Sequence, residues 1–168
     1  YRDVASASGE GAGLTPAVEA VQRAGVAHRV VTYPRVDSIE EASKARNVPV
    51  AAIAKTLAVR RSDDDVVLVL VGGDRALDWK KLRSLLGVSR IALVETGDLE
   101  SRTGYPRGAV TPFGNPRSLP VVVDAHLADL DEVSVGGGAF GTAIHLAGGD
   151  LVAATGATVA DVTRSEGD

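Results

Sequence analysis

The chain has 168 residues, 45% of them hydrophobic and 24% charged, with a formal net charge of −4 and a pI of ≈ 5.4. That is enough chain for one domain with a substantial core, and too little for two. The acidic balance excludes a uniformly basic nucleic-acid or membrane binder, and the absence of cysteine excludes disulfides, thiolate metal sites and cysteine nucleophiles.

Residues 1–13 are rich in Ala, Ser and Gly without periodicity and read as a disordered tail or cloning remnant. Thr15-Pro16 reads as a helix N-cap and first turn, and Gly25 as the stop. His28 to Tyr33 is a β-branched and aromatic run ending at Pro34, hence a strand, and Ser38 with Glu41 opens a capped helix reaching about Asn47. After Pro49 a short helical turn is expected to deliver Lys55 to the mouth of a strand over Thr56 to Arg61. Val66 to Val71 follows, apolar on both faces and therefore central.

Asp78 caps a helix with a Trp79, Leu82, Leu85, Leu86 stripe closed by Gly87, in which Trp79 is a core residue. Arg90 to Val94 reads as a strand, Gly97 to Arg102 as a short helix, Tyr105 to Arg117 as a long loop and Leu119 to Val123 as a strand. Glu132 to Val135 and Thr142 to Leu146 read as strands paired around a glycine turn, and Asp150 to Ala154 with Val159 to Thr163 as a closing pair of helical turns. No window approaches the ~20 apolar residues of a membrane helix, and no secretory leader pattern opens the chain, which reads as cytoplasmic.

Three features bear on chemistry. Lys55 interrupts the apolar run Ala51 to Val59, and an ammonium drawn toward a core needs a partner or a ligand. The loop Thr103 to Gly114, dense in Gly and Pro, can present backbone N–H groups; a cation beside such a cradle suits an anionic or ester-bearing ligand. Arg75, Lys80, Lys81, Arg83, Arg90, Arg102, Arg107 and Arg117 fall among only five acids, and a solvated face explains them, although any local nucleic-acid patch would have to lie there.

Two motifs carry less. Gly136 to Gly141 matches G-x-G-x-x-G, but Thr142 to Leu146 alternates with period two where a dinucleotide fingerprint needs a helix, so a hairpin loop is the better reading. His28, His126 and His145 show no metal-ligand spacing with each other or with acids; His145 is a general-base candidate only if it faces a pocket.

Taken in order, Thr15-Pro16-Ala17-Val18, Tyr33, Lys55-Thr56-Leu57, Thr103-Gly104-Tyr105, the Gly108-x-x-x-Pro112 loop, Pro112-Phe113-Gly114, Asp124, the Gly136 to Gly141 turn and Ala157 to Asp161 resemble the YbaK/prolyl-tRNA synthetase-associated domain family of aminoacyl-tRNA editing proteins. The resemblance runs from Thr15 to about Thr163, so a single domain over residues 14–164 is expected, followed by a tail at 165–168. It implies an α/β (α+β) fold, a mixed, curved, barrel-like β-sheet flanked by helices. It also implies trans-acting hydrolysis of the ester in mischarged tRNA, notably a small amino acid on proline tRNA, with the tRNA acceptor end and prolyl-tRNA synthetase as partners and no cofactor or metal.

By the same resemblance Lys55 is the critical charged residue and Gly108 opens the substrate loop that continues through Ala109, Val110, Thr111 and Pro112. Tyr33 and Thr56 shape the pocket, with Gly137 and Gly138 lining it. Cysteine-specific relatives commonly carry a Lys-Arg pair where Ala139 and Phe140 stand here, and an acid where Ala143 stands, which points to a more apolar pocket or another small amino acid. A non-catalytic module binding aminoacyl-tRNA or a synthetase, and a nucleotide-dependent oxidoreductase, are the rival readings.

Overall fold

A computed structural model describes residues 14–167; the expected tail at 1–13 and the last residue lie outside them. Helix α1 (Pro16–Ala24) starts where Thr15 Oγ1 accepts from the Val18 N–H at 3.1 Å and stops at Gly25, whose φ of 72° an L side chain rarely adopts. Strand β1 (Arg29–Thr32) leads to α2 (Ile39–Arg46), where Ser38 Oγ accepts from the Glu41 N–H and Glu41 bonds the Asp37 N–H. A 3₁₀ turn at Val50–Ala52 enters β2 (Ile53–Ser62), so Lys55 lies within the strand and not at its mouth.

Strands β3 (Asp65–Gly72) and β4 (Arg75–Leu77) precede α3 (Trp79–Leu86), which Asp78 caps. Leu82 is fully buried and Trp79 packs in the core as expected, but Leu85 is exposed. The expected strand over Arg90 to Val94 shrinks to β5 (Ala92–Leu93), and α4 (Leu99–Thr103) follows a 3₁₀ turn. Then come β6 (Val121–Asp124), α5 (Ala125–Ala128), β7 (Val133–Gly136), β8 (Thr142–Leu146), α6 (Gly148–Thr155), β9 (Thr158–Ala160) and β10 (Thr163–Ser165). The second closing helical turn is therefore wrong: those residues belong to β9 and β10, and β10 runs to Ser165, one residue past the expected domain end.

The main sheet runs β1-β8-β7-β2-β3-β6-β9, with β5 joined to β2, and β4 pairs with β10 separately. It is mixed: β2/β3, β2/β5, β7/β8 and β1/β8 are antiparallel, whereas β2/β7, β3/β6 and β6/β9 are parallel. The end strands β1 and β9 do not pair, so the sheet stays open where a barrel-like closure was expected.

Alternation along β3 distributes its side chains to two cores, as period-two geometry requires. Val66, Leu68 and Leu70 join α1, α5, α6 and the 105–113 loop, while Val67, Val69 and Val71 join α3, Leu77 and Val162. A third cluster packs α2 through Ala42 onto Val48, Ala52 and Ile53. Asp124, fully buried, secures the far end: its carboxylate accepts from the His126 and Val162 N–H groups at 3.2 and 3.0 Å.

Candidate functional site

The site begins as a gap in strand pairing. One edge of β2 is taken by β3 over nearly its whole length, from Ala54↔Gly72 to Ser62↔Asp65. The other edge is shared: β7 holds only Ile53 and Ala54, and β5 holds only Val59 and Arg60, with the Val94 N–H reaching Ala58 O at 2.9 Å. Between these two partners Lys55, Thr56 and Leu57 face no strand. A groove of about 350 Å³ fills the gap, lined by Thr56 to Ala58, by Leu93 and Val94, and by Arg107, Gly108 and Val110 from the long loop. Thr56 Oγ1 is shielded from solvent there and makes no protein hydrogen bond.

The loop is rigid because it is tied from within. Tyr105 is 3% exposed, its hydroxyl donates to Phe113 O at 2.7 Å, and burial pushes its phenol up to about 12, so it stays protonated and donating. Asn115 Nδ2 donates to Thr103 O and Thr111 O at 2.7 and 3.1 Å. This inner lacing turns Ala109, Thr111 and Pro112 into the protein and leaves Gly108 and Val110 at the groove. Of the loop residues expected to bind substrate, only those two line the cavity. Gly108 has φ +88°, and a Cβ built on it would lie 2.8 Å from the Phe140 ring, which is itself 69% exposed. Phe140 thus forms an apolar wall over Gly108, beside the loop that the resemblance picks out.

The glycine turn serves as scaffold. The Gly137 N–H donates to Thr142 O at 2.8 Å, a Cβ on Gly137 would meet Thr142 Cγ2 at 2.6 Å, and one on Gly138 would meet the Tyr105 ring at 2.8 Å. Thr15 Oγ1, besides capping α1, donates to Gly137 O, tying the turn to the first helix. The turn leads into strand β8, so it lacks the helix N-terminus that a dinucleotide pyrophosphate requires. Gly137 and Gly138 hold the loop in place, behind the groove.

Lys55 and Tyr33 sit differently from what the sequence suggests. The Lys55 ammonium donates to the Arg75 carbonyl at 2.8 Å, and strand alternation puts its stem on the opposite face from Thr56. Lys55 therefore flanks the gap while its amine is held away from Gly108. Gly136, the next residue after the β7 pairing, leaves room for the Val110 carbonyl, which a Cβ would approach to 3.4 Å. Arg46, unremarked in the sequence, donates to Tyr33 OH at 2.9 Å and to Ser134 Oγ at 3.2 Å, with its guanidinium 5.0 Å from the Tyr33 ring centre. Its place in the last turn of α2 gave only the ordinary signal of a helix C-terminal cation.

With this geometry in view, comparison with known proteins is decisive: residues 33–154 match the profile described as "Aminoacyl-tRNA editing domain". The chain belongs to that family. The editing domain is 36% identical over 106 residues to a proline–tRNA ligase of Sulfurihydrogenibium sp., covering 63% of this chain and 18% of the ligase. It is 27% identical over 129 residues to EbsC of Enterococcus faecalis, a candidate Cys-tRNA(Pro)/Cys-tRNA(Cys) deacylase, covering 77% of this chain and 79% of EbsC. A solved candidate trans-editing enzyme for prolyl tRNA synthetase superposes with a TM-score of 0.79 at 29% identity, covering 90% of this chain and 99% of that one. The chain spans about a fifth of the length of the proline–tRNA ligases it matches.

The remaining titratable clusters of this editing domain are structural. His145 is fully buried, and burial lowers its pKa to about 4, helped by Arg29 and Arg46 and opposed by Glu132. Its Nδ1 lies 3.2 Å from Arg29 Nη2 and the residue does not reach the groove, so it is no general base for it. Asp124, His126 and Asp161 offer ligand atoms within 4.8 Å of one another, a grouping the sequence reading overlooked. Their atoms are already engaged: Asp124 bonds His126 Nδ1 at 2.8 Å, and Asp161 holds Lys81 at 3.1 Å and the Thr163 N–H, contacts that lower its pKa. This is a clasp joining β6, α3 and the β9–β10 corner.

Proposed function

We propose that the chain is a trans-acting aminoacyl-tRNA deacylase that hydrolyses the ester of a small amino acid mischarged on tRNA, proline tRNA first among the candidates. The observation that carries this reading is the interrupted edge of β2 with Gly108 at its rim, in a chain of the editing family. The relatives named for Cys-tRNA(Pro) deacylation and prolyl-tRNA synthetase editing support it. The setting is the cytoplasm, where aminoacyl-tRNA is made.

An aminoacyl ester carries its own leaving group in the terminal ribose hydroxyl, so hydrolysis asks chiefly for a placed water and for stabilisation of charge on the carbonyl oxygen. Water oxygen adds to the carbonyl carbon, the ester C–O bond breaks, one of the water's protons ends on the ribose oxygen and the other leaves the new carboxyl group for solvent. The backbone N–H groups of Gly108 and Val110, which line the groove, are the donors for the carbonyl oxygen, since the Ala109 N–H already donates to Pro106 O at 3.0 Å, and glycine permits the approach. Thr56 Oγ1, without a protein partner, offers a hydrogen bond to water or to the amino group. Lys55 reaches the terminal phosphate or the oxyanion only by leaving the Arg75 carbonyl and swinging round the open edge of β2 from the opposite face. None of these steps calls for a metal.

The Leu93, Val94 and Leu99 side chains make the groove wall apolar, with the exposed Phe140 ring beside Gly108 at its rim, which suits a small aliphatic side chain. One observation favours a second reading, a module that binds charged tRNA without turnover: the Lys55 amine is already engaged. A panel of mischarged tRNAs separates the two. The deacylase reading expects turnover of at least one, lowered roughly 100- to 1,000-fold by Lys55→Ala. Binding without hydrolysis throughout the panel would establish the alternative.

A further inference from the structure

Across β5 from the first groove lies a second, of about 510 Å³, with a different chemistry. Arg60 and Arg61 from β2, Arg83 from α3 and Arg90 from the approach to β5 line it, and no acidic residue does. Four guanidinium groups at one place reverse the sign of a chain whose net charge is −4. Strand alternation would send Arg60 and Arg61 to opposite faces; the register shift between Arg60 and Ser62 brings both to this groove. Arg60 pairs with the almost fully exposed Asp63 at 3.3 Å, a contact that yields readily to a stronger anion, whereas Arg61 is forked onto Asp65 at 2.9 and 3.0 Å and keeps that partner.

Of the rest of the basic stretch, Arg107 lines the Gly108 groove and Arg117 a separate cleft, and three more are tied to protein partners. Lys81 holds Asp161 and the Thr163 carbonyl, Arg75 holds Thr163 Oγ1, and Arg102 holds the Asp63 carbonyl. What remains is a groove joined to the first by one short strand: Ala92 lines the arginine groove, while Leu93 and Val94 line the one at Gly108.

The geometry points to the arginine groove as the seat of the sugar-phosphate backbone of the RNA whose aminoacylated end occupies the Gly108 groove. Guanidinium forks match phosphodiester oxygens in pairs, and a chain leaving the first groove over β5 enters this one directly. The inference rests on the deacylase reading and adds to it the surface that receives the body of the tRNA.

The test compares wild type, Arg83→Gln/Arg90→Gln and, as a control outside both grooves, Lys80→Gln. Each is assayed on an aminoacyl-tRNA from the productive panel and on the same amino acid esterified to adenosine alone. The double variant is expected to lose about tenfold or more in kcat/KM on tRNA and far less on the adenosine ester, with the salt dependence of tRNA binding shallower by roughly one per arginine. Arg83→Lys/Arg90→Lys, which keeps the charge, recovers part of the loss. Crosslinks from 4-thiouridine-substituted tRNA to the wild-type protein should map to residues 83–92, a readout independent of how the variants fold.

If wild type deacylates tRNA while the double variant matches it in rate and salt slope, or crosslinks avoid that segment, the groove assignment falls and the deacylase reading stands. An acidic polypeptide, and not tRNA, competing at these arginines would overturn it too. If wild type hydrolyses no aminoacyl-tRNA, both fall together.

Discussion

Two glycine-rich segments of this chain look alike on paper and do opposite work. The Gly104 to Gly114 loop is laced from inside by Tyr105, Thr103 and Asn115, so that its outer residues Gly108 and Val110 stand open at a groove. The Gly136 to Gly141 turn instead packs its glycines against backbone and ring atoms of Thr142 and Tyr105. What distinguishes them is the neighbour each glycine meets: a movable exposed ring at Gly108, fixed interior atoms at Gly137. Small size serves access at Gly108 and close packing at Gly137, as it does at Gly104 and Gly114, where a Cβ would meet Pro116 and the Pro16 backbone at 2.5 Å.

The sharpest contrast in stability should come from the hairpin that follows the turn. His145 has a folded pKa of about 4 against 6.5 unperturbed, so the unfolded chain takes up a proton first as pH falls. The contribution is intact above pH 6.5 and lost as pH falls toward 4, up to about 3 kcal/mol at ~1.4 kcal/mol per unit. Denaturant midpoints at several pH values should show it, and His145→Gln should flatten the dependence; an unchanged slope in that variant would place the titration elsewhere. Next, Gly137→Ala should cost about 2 kcal/mol through overpacking against Thr142, with melting temperature and activity falling together.

Gly108→Ala should separate those two quantities. The left-handed backbone costs about 1 kcal/mol, the exposed Phe140 ring can move aside, and yet deacylation should fall about tenfold as the approach to the loop backbone closes. Equal melting-point losses in Gly108→Ala and Gly137→Ala would erase the contrast drawn here. Phe140→Ala should be mildest, within about 0.5 kcal/mol in stability because the ring is exposed, with a several-fold rise in KM from loss of the apolar wall.

Local signals read well in the sequence because they are local. Thr15, Ser38 and Asp78 cap the helices expected of them, Gly25 and Gly87 stop two of them, and the unbroken apolar run of β3 announces a strand buried on both faces. Lys55 and the Gly- and Pro-rich loop are legible from the residues alone as a cation and a backbone cradle, whereas Thr56 and the choice of Gly108 within the loop come only from family resemblance. The gap that gives the site its shape was not legible, since it arises from β7 and β5 sharing one edge of β2, a matter of pairing between segments far apart in the chain. Strand β9 escaped for a related reason: three residues carry no periodicity, and only parallel pairing with β6 makes them a strand. Phe140 and the Arg60/Arg61 pair take their meaning from a turn and a register shift that composition does not reveal.

The most direct test places the ligand. Backbone amide NMR shifts on titration with an unreactive, amide-linked aminoacyl-adenosine should concentrate at Thr56 to Ala58 and Gly108 to Val110, with the Gly137 and Gly138 amides little changed. Shifts centred on the Gly136 to Gly141 turn, with the β2 gap silent, would contradict the assignment of the ester to that gap.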